Sequence, residues 1–372
     1  MLDDAKDGST EGARCVNAKG KLMRRTHGLC ERVALLAALS MAFLDVGEAE
    51  ALVIETVPIG NPGNAGELRG IGAGGRGPDR VCGAVGYVYS MGKFEVTAGQ
   101  YAEFLNSVAA TDTYGLYNLR MADASGDSYG CNIQRAGSPD KYSYTVAPDW
   151  ANRPVNYVDW GDAARFCNWL HNGEPVGAQG PGTTEDGSYS LDGVNDDASL
   201  LLVAREPGAS WVIPSEDEWY KAAYYNPQRG VYHDYPTGTD SPLNNGSSDP
   251  DDGNSANFMG LDYCIGGPFY RTVVGEFENS SSPYGTFDQG GNVREWNESV
   301  IDSMYRGTGG GSFWYGLDYL HASTREYRTP ANAYWSMGLR VGYVPEPATW
   351  ALLALGGLPF IRRRRRRPAQ RG

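Results

Sequence analysis

Apolar and polar residues follow a helical period in three parts of this 372-residue chain. Between residues 159 and 171 the apolar positions recur at intervals of three and four, which places them on one face of a helix. Two further helices are predicted to begin with capping boxes, one formed by Thr97 and Gln100 and one by Ser215 and Glu218. We expect these helices to run to about residues 108 and 224.

Alternation of apolar and polar positions predicts short strands over residues 53–57, 84–96 and 154–158. The stretches between the predicted elements are polar and rich in turn residues, which predicts long loops over residues 109–150, 173–208 and 226–256. Residues 173–208 are compatible with two interpretations, a loop that faces a substrate and a solvated surface insertion. Residues 70–77 contain a G-x-G-x-x-G pattern, but neither a strand before it nor an apolar helix after it. We therefore interpret this segment as a loop rather than a dinucleotide site.

The first 51 residues have the pattern of a secretory signal peptide. A basic segment precedes an apolar run over residues 33–44, and an Ala-x-Ala cleavage pattern follows at residues 49–51. Residues 1–22 are polar and lie before a second methionine, Met23, which we take as the true start. The alternative is that residues 1–51 form an ordinary buried helix with a polar lead. The signal peptide predicts an exported protein.

Residues 344–372 resemble a PEP-CTERM sorting signal. A short apolar run over residues 348–361 lies between a Pro-Glu-Pro motif and six arginines. At 1.5 Å per residue the run spans about 21 Å, less than a hydrocarbon core of about 30 Å. The resemblance implies transient insertion into the inner membrane, cleavage by an exosortase-type protease, and delivery to the cell surface or extracellular matrix. The alternative for an arginine run is nucleic-acid binding, which the adjoining apolar run disfavours. The signal residues are Pro345, Glu346, Pro347, Arg362, Arg363 and Arg364.

The formal net charge is −13 at pH 7, and removal of the arginine-rich tail makes the remaining chain more acidic. Such a surface repels nucleic acid and anionic lipid and attracts cations, so we expect no nucleic-acid partner. An oxidising compartment permits disulfides, but the sequence leaves the pairing of the cysteines open. Those outside the signal segments are Cys82, Cys131, Cys167 and Cys264. Cys167 lies on the apolar face of a predicted helix, where we expect a buried, inert thiol.

Several segments resemble, in the same order, the signature of the formylglycine-generating enzyme (sulfatase-modifying factor) family. The strand that ends at Glu95-Val-Thr97 and the run over residues 211–219 match its N-terminal half. Residues 287–296, 309–312 and 337–341 match its C-terminal half, with Gly-Gly-Ser at 310–312. The resemblance implies one α+β domain over residues 52–343. It implies the formylglycine-generating-enzyme, C-type-lectin-like fold, with short strands, about three helices and long loops.

The resemblance also implies calcium as a cofactor. Carried over onto this sequence, the calcium ligands of the family are the side chains of Asp288 and Glu295 and the carbonyls of Gly291 and Val293. Oxygen ligands in a glycine-rich turn suit Ca²⁺. The alternative is that Asp288 caps a turn and Glu295 pairs with an arginine. A second, weaker calcium site implied by the resemblance consists of Asn257, Phe258 and Asp262.

The catalytic thiols of the family are missing from this sequence. Family members with oxidase activity bind Cu(I) through two cysteines shortly after the Gly-Gly-Ser segment, and a soft metal requires such soft ligands. Here Tyr315 occupies the first of these positions, and the chain has no cysteine after Cys264. We therefore expect no copper and no copper-dependent oxidase activity. The four histidines show no zinc-site spacing, and a G-x-S-x-G hydrolase motif is absent.

These observations favour a non-catalytic exported binding or matrix protein with loops stabilised by calcium. Its ligand is expected to be a glycan or a peptide, held in a cleft lined by Phe313, Trp314, Tyr315, Tyr319 and Arg325. The alternative for these aromatics is that they fill the vacated catalytic site. Arg325 and Arg340 match two arginines of the family, for which binding to carboxylates and carbonyls is the favoured role. The second functional hypothesis is an enzyme, either a formylglycine-generating oxidase or a diverged oxygenase acting on proteins.

Overall fold

The computed structural model describes residues 52–246 and 251–345. The predicted signal peptide and the sorting signal from Glu346 onward lie outside these residues. Pro345 is described and is exposed. Across the described parts of the chain, none of the helices combines the length and the apolar character that crossing a bilayer requires.

Five α-helices occur in the described residues: α1 (Ala98–Val108), α2 (Pro148–Ala151), α3 (Trp160–His171), α4 (Asp197–Leu200) and α5 (Glu216–Tyr224). The capping boxes predicted at the starts of α1 and α5 are confirmed. The Thr97 hydroxyl accepts a hydrogen bond from the Gln100 amide at 3.2 Å, and the Ser215 hydroxyl accepts one from the Glu218 amide at 3.1 Å. Each glutamine or glutamate side chain accepts the reverse bond from the cap residue, which satisfies two backbone donors per helix.

The strands are short. In chain order they are β1 (Thr56–Ile59), β2 (Glu67–Arg69), β3 (Arg80–Cys82), β4 (Tyr89–Gly92), β5 (Ile133–Ala136), β6 (Ser143–Val146), β7 (Trp211–Val212), β8 (Tyr225–Asn226), β9 (Val231–Tyr232), β10 (Arg294–Ile301), β11 (Tyr305–Gly309), β12 (Glu326–Arg328), β13 (Met337–Gly338) and β14 (Gly342–Tyr343). One four-stranded sheet has the order β1-β4-β14-β7 and is antiparallel throughout. The other has the order β12-β11-β10-β13, in which β10 and β13 are parallel. The remaining pairs are the hairpins β2-β3, β5-β6 and β8-β9.

The strand predictions need correction. The strand expected over residues 53–57 lies at Thr56–Ile59, and only Tyr89–Gly92 of residues 84–96 forms a strand. The strand expected over residues 154–158 is absent, apart from one bridge between Thr97 and Pro154. Within that segment one amide donates to Val96 and another to Tyr334. Because these partners belong to different parts of the chain, no continuous ladder forms.

All three predicted loops contain more structure than their polarity suggested, and residues 226–256 include β9. Residues 109–150 include the β5-β6 hairpin and α2. Residues 173–208 are neither a purely solvated decoration nor an open loop, since part of this segment is built into the core. Glu185 is buried there and forms an ion pair with Arg165 of α3 at 2.7 Å. A buried pair of this kind requires both partners, so the segment is fixed to the helix.

Helices α1 and α3 pack through an inner aromatic cluster, defined here as Tyr101, Phe104, Phe166 and Trp169. Their ring centroids are 5.3 to 6.1 Å apart, and none of the four side chains is more than 2% exposed. Rings at this spacing add edge-to-face and stacked contacts to the hydrophobic burial. The cluster lies in the main core, which also contains Trp160, Cys167 and Trp296. Burial thus agrees with the expectation for Cys167.

The glycine-rich segment over residues 70–77 is a loop, as expected, and packs against residues 323–325. The amide of Gly70 donates to the carbonyl of Ser323 at 2.8 Å, and the amide of Arg325 donates to the carbonyl of Arg76 at 2.9 Å. A Cβ atom at Gly75 would collide with the Ser323 carbonyl. This close approach explains the need for glycine and fixes the position of Arg76.

Candidate functional site

A second group of aromatic residues reaches the surface, and we call it the outer aromatic cluster. Its neighbouring ring centroids are 4.6 to 6.4 Å apart. The members are Tyr129, Tyr263, Tyr270, Phe313, Trp314, Tyr315, Tyr319 and Trp335. Trp314 is 37% exposed, and its ring lies 5.0 Å from that of Trp335. Tyr315 stacks on Trp335 with an angle of 5° between the ring planes.

Buried polar side chains fix the loops that carry this cluster. The Asn156 side-chain amide donates to the carbonyls of Tyr129 and Trp335, both at 2.6 Å. The Arg271 guanidinium, fully buried, donates to the Tyr129 carbonyl at 2.9 Å. The Phe313 amide donates to the Asn292 carbonyl at 3.0 Å. These hydrogen bonds connect loops from distant parts of the sequence beneath the outer aromatic cluster.

Two residues of the cluster have left-handed backbone conformations. The φ angles are +58° at Tyr129 and +54° at Tyr270. For a bulky side chain this conformation costs about 1–2 kcal/mol. The hydrogen bonds to the Tyr129 carbonyl stabilise it against this cost. Strain of this kind is concentrated at ligand-binding and catalytic sites.

The residues predicted to line a cleft have different environments. Phe313 is fully buried beneath the other rings, so it offers no surface to a ligand, and its predicted role as a lining residue is corrected. Tyr315 is half-buried, and the Arg294 guanidinium lies 3.7 Å from its ring centroid. Arg325 is only 7% exposed and is bound to Glu216. Of the residues predicted to line the cleft, the ones that remain accessible are therefore Trp314, Tyr315 and Tyr319.

Glu216, the first residue of α5, is buried among three arginines. Its carboxylate accepts from Arg325 at 2.7 and 3.0 Å, from Arg80 at 3.1 Å and from Arg69 at 3.2 Å. Burial alone would raise the pKa of Glu216, but the hydrogen bond from Arg325 and the arginine charges lower it to about 2. Glu216 is thus held ionised and fixes Arg325, the residue directly before β12.

The two carboxylates of the predicted calcium site differ in their surroundings. Glu295 is fully buried and accepts from Arg340 at 2.7 and 2.9 Å and from the Trp219 indole at 2.6 Å. These contacts match the alternative in which Glu295 pairs with an arginine, and the role of Glu295 as a calcium ligand stays a prediction. Asp288 has a φ of +60° and accepts from the Gly275 amide at 2.6 Å. Burial is the main cause that raises the pKa of Asp288 to about 6, and Glu295 also raises it.

Glu95 is a carboxylate that the sequence analysis did not recognise as a candidate. It is 2% exposed, and its Oε2 atom has no hydrogen-bond partner. Its Oε1 atom has a long contact, 3.4 Å, with the Val293 amide. Burial first, then the charges of Asp288 and Glu295, raise the pKa of Glu95 well above its ordinary value. Glu95 lies in the Glu95-Val-Thr97 segment that resembles the family. This segment could have indicated Glu95 as a candidate, but it was interpreted only as the end of a strand and the start of a helix.

Gly291 and Asn257, which belong to different predicted sites, are adjacent through a β-bridge. Gly291 has a φ of +98°, and a Cβ atom there would collide with the Asn257 carbonyl. The side-chain Oδ1 of Asn257 is buried without a partner. Phe258 is buried, whereas Asp262 is exposed in the turn between Met259 and Tyr263. Within residues 52–246 and 251–345, no group of three or more His, Cys, Asp or Glu side chains is arranged to hold a metal ion.

The four described cysteines are not joined by disulfides. Cys82, Cys131 and Cys167 are buried, and Cys264 is half-buried. Burial raises the pKa of Cys264 to about 11, so its thiol stays protonated at neutral pH. Its neighbour Tyr263 belongs to the outer aromatic cluster, with its ring 5.7 Å from that of Trp314.

A model of the sulfatase-modifying factor enzyme 1-like domain matches residues 82–343 of this chain. The chain belongs to this sulfatase-modifying factor family. The match covers both four-stranded sheets except β1, the longer helices and the outer aromatic cluster, and it lies within the domain expected over residues 52–343. The α+β fold class and the family expected from the motifs are thereby confirmed.

Solved structures that resemble this member of the sulfatase-modifying factor family have low sequence identity. CarF is 19% identical with a TM-score of 0.44, and the similarity covers 79% of this chain and 99% of that chain. Variable protein 1 of Treponema denticola is 19% identical with a TM-score of 0.46, covering 80% and 99%. PvdO from Pseudomonas aeruginosa is 18% identical with a TM-score of 0.42, covering 79% and 93%. No match was found among curated proteins.

Proposed function

We propose that this protein is a non-catalytic binding protein, exported to the cell surface or matrix, that holds a saccharide on its outer aromatic cluster. A peptide is the alternative ligand. The observation that carries the proposal is the group of large rings left partly open to solvent, with Trp314 37% exposed. Export is supported by the signals at both ends of the sequence, including the exosortase-type processing that the C-terminal signal implies.

The chemistry of the exposed rings favours a saccharide. Aromatic side chains bury a large area and have few rotatable bonds, so they bind at a small cost in conformational entropy. The C–H faces of a sugar ring match a flat aromatic surface. The buried hydrogen bonds from Asn156 and Arg271 hold this surface in place before a ligand arrives, and such preorganisation improves affinity.

The thiol chemistry supports a non-catalytic role. The oxidase reaction of the family requires two thiolates that bind Cu(I) together. No cysteine follows Cys264 in the sequence, and Tyr315 stands at the first catalytic position. The raised pKa of Cys264 further disfavours a thiolate. Copper titration with a cysteine-containing sulfatase peptide tests this point. We expect no conversion to the aldehyde, and turnover would contradict the non-catalytic role.

We also propose that calcium stabilises the loop around Asp288, with Glu95 rather than Glu295 as the second carboxylate. The unpartnered Oε2 of Glu95 and the charge of Asp288 close to it support this choice. Carbonyl oxygens and water would complete the six to eight oxygen ligands that Ca²⁺ prefers. At a calcium concentration one hundred times its Kd, the folded domain should gain about 2.7 kcal/mol of stability.

Thermal unfolding with Ca²⁺ and with a chelator tests the calcium proposal. The midpoint should rise with Ca²⁺ in the wild type and should not rise in Glu95→Gln. Glu298→Gln is a control, because Glu298 is a carboxylate bound by Arg205 in another part of the domain. Equal midpoints with and without Ca²⁺ in the wild type would refute calcium binding.

Calorimetric titration with a panel of oligosaccharides tests the binding function. Trp314→Ala should lower the affinity for the ligand about tenfold, because it removes a large exposed ring. Trp211→Ala is the matched control, since Trp211 is also partly exposed but lies in β7 against Tyr343, outside the outer aromatic cluster. If the panel includes no ligand, or if both variants bind like the wild type, the proposed surface is wrong.

A further inference from the structure

A small cavity next to the outer aromatic cluster is lined by three arginines. Its volume is about 220 Å³, and its charged lining residues are Arg76, Arg325, Arg328 and Glu326. Cavities that enclose a whole small-molecule ligand measure about 300–1,000 Å³. This cavity is smaller, so it would accept one group of a larger ligand.

The carboxylates around the cavity do not balance the arginines. Glu326 is bound by Arg294 at 2.7 and 3.2 Å. The second contact of Glu326, with Arg328, measures 3.8 Å, beyond hydrogen-bond distance. Arg328 is 27% exposed and otherwise donates to the Tyr327 carbonyl. Its charge is therefore left largely uncompensated, in a chain whose net charge is −13.

Arg76, which also lines the cavity, has an exchangeable partner. It pairs with Asp318 at 2.5 Å, but both side chains are more than half exposed. Exposed pairs of this kind contribute only about 0–1 kcal/mol, so another carboxylate can replace Asp318. The Arg76 backbone is fixed by the hydrogen bond that the Arg325 amide donates to the Arg76 carbonyl. The ion pair with Glu216 fixes the Arg325 side chain.

The arginine cavity is continuous with the outer aromatic cluster through Tyr319. Tyr319 lines the cavity, and the Arg76 guanidinium lies 4.6 Å from its ring centroid. Its ring is 4.6 Å from that of Tyr315, which stacks on Trp335. A chain of sugar rings lying on the aromatic surface would thus bring one residue to the arginines.

We propose that this cavity binds the carboxylate of a uronic acid residue, so that the saccharide of this protein is an acidic one. The inference rests on the proposed saccharide-binding function and names the class of its ligand. Arginine presents paired N–H groups whose geometry matches a carboxylate. The overall negative charge of the protein repels polyanions at long range, so recognition depends on this local group of arginines.

Calorimetric titration of the domain with hexagalacturonate and with its carboxyl-reduced, neutral counterpart tests the inference. We expect the uronate to bind at least about tenfold more tightly than the neutral chain, because hydrogen bonds to charged groups are stronger than those between neutral groups. Arg328→Gln and Arg76→Gln should each reduce that preference severalfold. Arg229→Gln is the matched control, because Arg229 is an exposed arginine in the turn between β8 and β9.

Each other outcome overturns a defined part of the account. Equal binding of the two saccharides would overturn the acidic ligand and leave saccharide binding intact. Binding of hexaglutamate as tight as that of the uronate would assign the cavity to an acidic peptide instead. Absence of binding by both saccharides would overturn the inference together with the saccharide function. Because Arg76 is on the surface, its variant should fold even if Arg328→Gln does not, and circular dichroism checks both.

Discussion

The inner and outer aromatic clusters of this domain are built from the same kinds of side chain. Ring centroids are 5.3 to 6.1 Å apart in the inner cluster and 4.6 to 6.4 Å apart in the outer one. The inner rings are no more than 2% exposed, whereas Trp314 is 37% exposed. The inner rings belong to two helices, α1 and α3, whereas the outer rings belong to separate loops.

The comparison shows that aromatic packing alone does not identify a binding surface. The inner cluster is held by burial of apolar area, which is the main source of folding stability. The outer cluster depends on hydrogen bonds from Asn156 and Arg271 to backbone carbonyls and keeps two tyrosines in strained conformations. We therefore expect the partly exposed rings of the outer cluster to contribute less to folding than the buried rings of the inner cluster.

The largest expected effect is on the inner cluster. Phe104→Ala should lower the free energy of unfolding by about 3–5 kcal/mol, because it leaves a cavity in a packed core. Urea unfolding measures the change. Saccharide affinity, measured where the variant is still folded, should equal that of the wild type. A large loss of affinity there would mean that the two clusters do not have separate roles.

The next largest effect concerns the buried carboxylate of Glu216 and the three arginines that bind it. The folded-state pKa of Glu216 is about 2, below its ordinary value of 4.5. Its contribution to stability is therefore present above about pH 4.5 and is lost as the pH falls towards 2, by up to about 3 kcal/mol. Urea unfolding between pH 6 and pH 3 measures this. Glu216→Gln should show a weaker pH dependence than the wild type, and an identical dependence would contradict the assignment.

The smallest expected effect on stability is at Trp314. Because more than a third of this side chain is already exposed, Trp314→Ala should lower the free energy of unfolding by only about 2 kcal/mol, less than Phe104→Ala. Urea unfolding of this variant beside Phe104→Ala gives the contrast directly. A loss as large as that in Phe104→Ala would show that the outer cluster is a second core rather than a binding surface.

The sequence was sufficient to predict the three longer helices of the fold, but not β10, its longest strand. Capping boxes are local, so the starts of α1 and α5 could be placed from Thr97 and Ser215. The strands were harder because many are two to four residues long and form only where a distant partner supplies hydrogen bonds. Burial of Glu185 was not predictable for a similar reason, since it depends on Arg165 in α3.

The candidate site was predicted only in part. The Gly-Gly-Ser segment indicated where Trp314, Tyr315 and Tyr319 lie in the chain. Tyr129, Tyr263 and Trp335 reach the same surface from other loops, and no local spacing predicts that meeting. For Glu295 the motif left calcium binding and pairing with an arginine both open, and it could not indicate that this arginine is Arg340, 45 residues away.

The most direct test of the central claim is to follow the tryptophan indole N–H signals by NMR while hexagalacturonate is added. The chain contains nine tryptophans, and substitution of Trp314, Trp335 and Trp169 assigns the decisive signals. We predict that the signals of Trp314 and Trp335 shift in proportion to ligand occupancy, while that of Trp169 in the inner cluster stays unchanged. Saturable shifts that leave out Trp314 and Trp335 would contradict the claim that the outer aromatic cluster is the binding surface.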